Sequence, residues 1–370
     1  MFVLLSLRAI WDEVRFFGCL YCPRVFSYLL SERFPMSMFD LEEEKVLAEI
    51  EERGARKILL QLPDGLKQEG PRLARLVREK TGAEVFVSAT PSWGACDLSL
   101  DAAARLKADL LIHYGHNEFL RDGSNGMPVL YVPAKSRHEV LPVVEKAIPL
   151  LQGKTIGLAT TVQHLHTIPD VAKRLELKGL RVQVPGRGPW AHENGQVLGC
   201  DYFGLKRVQA NVDSFLIVGS YFHALGAALS VEKPTVQADP FDGTARLLDS
   251  DRGRIIRQRY ALIEEARRSN SFGIIVSTKP GQSNPQAALS IRNQLEEKGK
   301  TAVILYADEV VPEKLMDFTT IEIFVDTACP RLALDDPERF PKPILTRDEM
   351  MVAIGAWTWG ELLDRGLVRL

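Results

Sequence analysis

GACDLSLDAAARLKADLLIHYGH, residues 94–116, decides how the rest of the chain is read. It runs from a small-residue turn carrying Cys96, through a helix-like LSLDAAARLK, into a short apolar strand, ADLLIHYG, that ends at His116. A cysteine at a loop-to-helix junction is ordinarily a small core residue. Whether Cys96 is more than that depends on whether the arrangement recurs.

It does recur. Residues 57–132 read as a strand KILLQL, a loop PDGLKQEG, a helix PRLARLVREK and a strand AEVFVSA, followed by the Cys96 loop, its helix and strand, and a last strand MPVLYVP. Residues 153–237 give GKTIGLATT, HTIPDVAKRLELKG, RVQVPG, the Cys200 loop, YFGLKRVQA, NVDSFLIVGS and KPTVQA. From Ser271 a third pass gives SFGIIVSTKPGQ, NPQAALSIRNQLEEKG, TAVILYA, VVPEKLMDF, TIEIFVDTACP and KPILT. Counting tests the register: Asp109 lies 13 residues after Cys96, and Asp213 lies 13 after Cys200. In the third pass the matching acid is Glu322, and Cys329 follows it by seven residues, as His116 follows Asp109 and Ser220 follows Asp213.

Alternating strands and helices build parallel sheets, and internal similarity on this scale predicts triplication. The expected fold class is α/β, with three similar parallel-sheet units around a pseudo-threefold centre. The units are predicted to cover residues 38–150, 151–268 and 269–370, with residues 244–268 as a long helix linking the second to the third.

Bulk properties narrow the function. A chain of 370 residues predicts two or three domains, and 46% hydrophobic with 25% charged residues excludes a disordered chain. The net charge of −2 supplies no basic field, so no nucleic-acid partner is expected. Five cysteines are too few and too scattered for a disulfide framework, which points to a reducing, cytoplasmic setting. Residues 1–37 are apolar, but Arg8, Asp12, Glu13 and Arg15 interrupt them too early for a span of roughly 20 residues, so no membrane role is expected. They also lack a signal peptide's layout. Cys19 and Cys22 form a CxxC with no second pair nearby to complete a zinc site. An acidic helix start follows Met38, and residues 1–37 are treated as an extension outside the functional argument.

Ligands of open α/β sheets bind beyond the carboxyl ends of the strands. Cys96, Cys200 and Cys329 all follow small or turn-forming residues beyond such ends, one in each repeat. Three thiolates leave a tetrahedral zinc one ligand short. On a 4Fe-4S cluster they leave one iron without a protein ligand, open to substrate.

LPDGL (62–66), GACD (94–97), HYGH (113–116), GQVLGCD (195–201), DPF (239–241) and CPRL (329–332) occur in that order. Carrying these strings, the chain from about Met38 onward resembles the archaeal diphthamide synthase family. The resemblance implies a 4Fe-4S cluster ligated by Cys96, Cys200 and Cys329, with S-adenosylmethionine as the substrate at the open iron. It implies transfer of a 3-amino-3-carboxypropyl group to a histidine of translation elongation factor 2, the activity of a 2-(3-amino-3-carboxypropyl)histidine synthase. The radical chemistry is of an unusual kind, since no CxxxCxxC loop occurs in the chain. A homodimer served by a separate electron donor is implied as well. Two alternatives stand beside this: a quinolinate synthase-like 4Fe-4S dehydratase, and a non-enzymatic three-domain binding protein with inert cysteines.

Further candidates lie at the same strand ends. Asp64 and Gly65 form a turn that suits either an anionic group or a plain β-turn. His223, at a helix start, is a candidate partner of the S-adenosylmethionine amino acid or ribose, and Gln237 and Asp239 end a strand at a similar mouth. Arg331 is a candidate for the methionine carboxylate, which a guanidinium matches with two hydrogen bonds. Gly281 and Gln282 form a turn before a Pro-initiated helix, and count as cofactor candidates against a purely topological role. His164 and His166 read as structural, and the loop PGRGPW (185–190) has anion-binding character without an assigned role.

Overall fold

The three acids aligned by counting do the same job in three places. In the computed structural model, which describes residues 37–120, 126–335 and 337–369, Asp109 accepts hydrogen bonds from the backbone amides of Arg56 (2.9 Å) and Lys57 (2.8 Å). Asp213 accepts from Lys154 and Thr155, both at 2.8 Å. Glu322 accepts from Asn270 (2.6 Å) and Ser271 (3.4 Å). Each acid precedes a central strand and ties it to the entrance of the strand beside it. The amide pairs hold the Asp109 and Asp213 carboxyls below the usual range.

The sheets built on these ties share one strand order. The first runs Glu84–Val87, Lys57–Gln61, Leu110–Tyr114, Val129–Val132, all parallel. The second runs Arg181–Gln183, Thr155–Thr160, Ser214–Val218, Thr235–Asp239 in parallel. The third runs Thr301–Ala307, Ser271–Ser277, Ile323–Asp326, Ile344–Thr346, again parallel. In each sheet the strand that comes first in sequence lies between the second and the third. Parallel neighbours need crossover connections, and helices such as Gly70–Thr81, Ile168–Leu177 and Pro285–Glu297 supply them. The protein is therefore α/β with several parallel sheets, whose carboxyl ends carry the cysteine loops.

The expected helix over residues 244–268 needs correction. Thr244–Leu247 is a fifth strand of the second sheet, antiparallel to Thr235–Asp239, and the helix is Asp249–Arg268. The hairpin is set by Asp242, whose carboxylate accepts from the Thr244 amide and hydroxyl, and by Gly243 at φ +67°. Ala-Arg-Leu is helix-compatible in isolation, but the open edge of Thr235–Asp239 supplies ladder partners that local preference does not reveal.

Residues Met38–Leu370 form one compact unit. One core cluster joins the second and third sheets, with Phe215, Ile274, Val325 and Leu345 fully buried, while the first sheet has its own core around Ile58, Leu60 and Ile112. The Cys19–Cys22 pair lies outside the described residues, and among the described residues no helix is long and apolar enough to cross a membrane.

A buried ion pair locks the linking helix onto the third sheet. Arg259 and Glu349 are 1% and 0% exposed. Arg259 Nε donates to Glu349 Oε1 at 2.7 Å, and its Nη1 and Nη2 donate to the carbonyls of Ala333 and Ile344, both at 2.8 Å. Glu349 also closes a capping box with Thr346. Truncating one member strands the other charge in the core. Arg259→Leu is expected to lower the unfolding free energy by about 3–5 kcal/mol in urea titration, and an Arg259→Met/Glu349→Leu double variant is expected to recover most of that loss.

Candidate active site at the carboxyl ends of three sheets

Cys96 sits in the loop between the strand Glu84–Val87 and the helix Leu100–Leu106. Cys200 precedes the helix Phe203–Val208, and Cys329 lies between the strand Ile323–Asp326 and the short helix Pro330–Asp335. All three are free thiols, partly open to solvent. Surrounding protein displaces enough water to raise every one of their pKa values, and Cys329 is pushed up to about 12. Their own charges add to this. After burial, the thiolates of Cys329 and Cys96 raise Cys200, and Cys96 raises Cys329. The three sulfurs, drawn from three sheets, therefore share one electrostatic neighbourhood. Among the described residues no group of three or more His, Cys, Asp or Glu is tight enough to hold a single metal ion. A polynuclear centre takes one thiolate per iron and does not require three donors on a single ion.

An acid anchors each cysteine loop. Asp97 accepts from the Trp93 amide (3.3 Å) and pairs with Lys279 (2.6 Å). Asp201 accepts from the amides of Trp190 (2.8 Å), Ala191 (3.3 Å) and Phe203 (3.1 Å). The anion taken up by the PGRGPW loop is thus the chain's own Asp201 carboxylate, and a Cβ on Gly188 would lie 2.1 Å from it. Asp326, 2% exposed, accepts from the Ala328 amide at 2.8 Å, and burial lifts its carboxyl to about 7.

Arg331 lies against the second sheet's side of the site. Its Nη2 donates to the Phe222 carbonyl (2.8 Å), its Nε donates to Asp335 (3.1 Å), and the guanidinium stacks 4.0 Å from the Phe222 ring centre. Its Nη1 is buried and unpartnered, as is the Tyr202 hydroxyl, and both crowd the position a Cβ on Gly226 would take. His223 opens the helix Tyr221–Ser230, with Nδ1 3.1 Å from the Ser220 hydroxyl. Its pKa is lowered to about 3 by burial, then by the charges of Arg331, His116 and His164, which places all four in one region. Gln237 is fully buried; its amide donates to Asp239 (3.2 Å) and to the Gly219 carbonyl (3.4 Å), and its Oε1 is unpartnered. Asp64 and Gly65 are both exposed, and Asp64 pairs with Lys67 at 2.6 Å.

A family described as "Putative diphthamide synthesis protein" matches residues 62–363. A 2-(3-amino-3-carboxypropyl)histidine synthase of Pyrococcus horikoshii is 33% identical over 325 residues, which is 86% of this chain and 91% of that protein. Subunit 1 of the Homo sapiens synthase is 29% identical, over 87% of this chain and 74% of its own length. A solved structure, Dph2 from Pyrococcus horikoshii with a 4Fe-4S cluster, superposes with a TM-score of 0.80 at 31% identity, covering 90% of this chain and 95% of that one.

The chain belongs to the diphthamide synthesis family. Its relatives are named 2-(3-amino-3-carboxypropyl)histidine synthases, and it is an enzyme of the transferase class.

The donor set of this family member suits an iron–sulfur group. Three unlinked soft thiols whose ionisation is opposed by burial and, for Cys200 and Cys329, by neighbouring thiolate charge suit a cationic centre that stabilises the thiolate form. Gln282, read from sequence as a cofactor contact, donates its side-chain amide to Cys96 Sγ at 3.3 Å.

Sequence reasoning missed a polar chain leading into the site. His116 Nδ1 is 3.0 Å from His113 Nε2, His113 Nδ1 is 3.0 Å from Gln61 Oε1, and Gln61 Nε2 donates to the Asp97 carbonyl at 2.6 Å. Its sequence signals are the glutamine that ends the apolar run ILLQ and the two histidines of HYGH. His164, read as structural, is 1% exposed with both ring nitrogens unpartnered. Burial lowers its pKa to about 4, and that of His116 to about 4 as well. The unfolded chain takes up protons near pH 6.5 that the folded one refuses, so stability is full above that pH and falls as pH drops toward 4. The unfolding free energy measured by urea titration is expected to decline from pH 7 to pH 5, by up to about 1.4 kcal/mol per pH unit for each histidine. His164→Phe is expected to flatten that decline.

Proposed function

We propose that the protein performs the first step of diphthamide synthesis, moving the 3-amino-3-carboxypropyl group of S-adenosylmethionine to a histidine of translation elongation factor 2. Cys96, Cys200 and Cys329 would hold a 4Fe-4S cluster. The observation that carries this reading is the meeting of three thiols from three sheets in one electrostatic neighbourhood, in a chain that superposes on a relative solved with such a cluster. The three sheets, equal in strand order, are read as a triplicated unit facing that centre. Three thiolates would leave one iron of such a cluster without a protein ligand, and the chemistry the group would supply is one-electron reduction of the sulfonium.

The protein's own residues bind and orient. Arg331, fixed by Asp335 and the Phe222 carbonyl, keeps Nη1 for the substrate carboxylate. His223, anchored through Nδ1 to Ser220 and uncharged at neutral pH, offers Nε2 to a neutral polar group without repelling the cationic sulfonium. Gln237 Oε1 is a further acceptor at the strand end, held beside Asp239. A homodimer drawing on a separate electron donor in the cytoplasm completes the reading. Family membership favours it over the dehydratase and non-enzymatic alternatives.

Anaerobic protein reconstituted with iron and sulfide, then mixed with reductant, S-adenosylmethionine and elongation factor 2, is expected to release methylthioadenosine in step with a mass gain on one histidine. Replacing Cys96, Cys200 or Cys329 by Ala is expected to reduce turnover by more than the roughly 10–100-fold typical of removing an outer-shell partner. Full turnover in all three variants contradicts the reading.

A further inference from the structure

The sulfur of Cys96 belongs to the first sheet's loop, yet its hydrogen-bond donor comes from the third sheet. The segment after the strand Ser271–Ser277 crosses to the Cys96 loop and is held there by three contacts. Lys279, 8% exposed, pairs with Asp97 at 2.6 Å and also with Glu309. The Gly281 amide donates to the Cys96 carbonyl at 2.8 Å. Gln282, 8% exposed, donates its backbone amide to the Lys279 carbonyl (3.0 Å) and Nε2 to Cys96 Sγ (3.3 Å). Glycine at 281 is a packing requirement, because a Cβ there would lie 2.6 Å from both Cα and Cβ of Cys96. Among the described residues, Cys96 is the one of the three whose sulfur accepts a side-chain hydrogen bond.

A donor fixed this firmly on a ligand sulfur does more than fill space. Reducing an iron–sulfur cluster adds negative charge, part of which resides on the thiolate sulfurs. An N–H dipole aimed at one of them stabilises the reduced form more than the oxidised form. Hydrogen bonds to the sulfurs are among the determinants of a cluster's potential.

We propose that Gln282 is a positioning residue that raises the reduction potential of the cluster through its hydrogen bond to Cys96. The inference rests on the cluster assignment made above. The step it governs is a one-electron reduction: an external reductant loses one electron, the cluster gains it, and no bond forms or breaks. Gln282 thereby sets how readily the cluster is charged by its donor, against how strongly it reduces the sulfonium.

The test is a redox titration of the reconstituted protein, followed by the electron paramagnetic resonance signal of the reduced cluster, on wild type, Gln282→Met and Gln282→Glu. Methionine keeps the length of the side chain and removes the donor, and glutamate replaces the donor by a negative charge. At the wild-type midpoint, the oxidised-to-reduced ratio is expected to rise about three- to tenfold in Gln282→Met, tenfold being about 59 mV for one electron. In Gln282→Glu it is expected to rise further. A methionine variant with full iron content and the wild-type midpoint overturns the inference alone. If that variant holds no iron, Gln282→Leu is judged by the same criterion, and loss of iron there too overturns the inference in favour of a purely structural role. A wild-type protein that takes up no cluster overturns the cluster assignment and this inference with it.

Discussion

Three thiols in one electrostatic neighbourhood are costly to ionise together without a cation. Each is held protonated by its surroundings, and each thiolate that forms makes the next more costly. The scaffold is therefore complete before its sulfurs are satisfied. Asp97, Asp201 and Asp326 fold the three loops through backbone amides and need nothing from a bound group. Loading a metal centre releases protons and removes the repulsion, which couples occupancy to pH.

The sheets explain how such a centre is reached from distant stretches of chain. All three repeat one strand order, so their carboxyl ends are equivalent positions, and an acid–amide tie at the opposite end fixes the register of each. The second and third sheets share a core and are locked by Arg259 and Glu349. The first sheet keeps a separate core, and the Lys279–Asp97 pair with the Gly281 and Gln282 bonds fastens its cysteine loop to the third sheet. The link closest to Cys96 is thus polar, and it ends on the sulfur itself.

The α/β class and the positions of most strands were legible in the sequence, because buried strands show as short apolar runs and because the 13-residue spacing from Cys96 to Asp109 and from Cys200 to Asp213 records a shared backbone path; the order of the strands within each sheet was not. The position of the three cysteines, each in a loop beyond the carboxyl ends of a different sheet, was legible from the same pattern. The strand Thr244–Leu247 was not, since its pairing depends on a neighbouring edge. Nor were the partners of the side chains. Gln282 and Lys279 act across a boundary between sheets, and nothing in STKPGQ signals that its amide ends on a sulfur far away in sequence. His164 looked structural because a spacing of two residues aligns with neither a helix face nor a ligand pair, and its unpartnered nitrogens emerge only in three dimensions.

The proposed function stands on a cluster whose fourth corner the protein would leave open. Mössbauer spectroscopy of protein reconstituted with iron-57, recorded with and without S-adenosylmethionine, reads that corner directly. One iron in four should change its parameters on addition of the substrate while the other three keep theirs. Four irons that respond alike, or none that respond at all, would contradict the proposed arrangement of three sulfurs around one accessible metal.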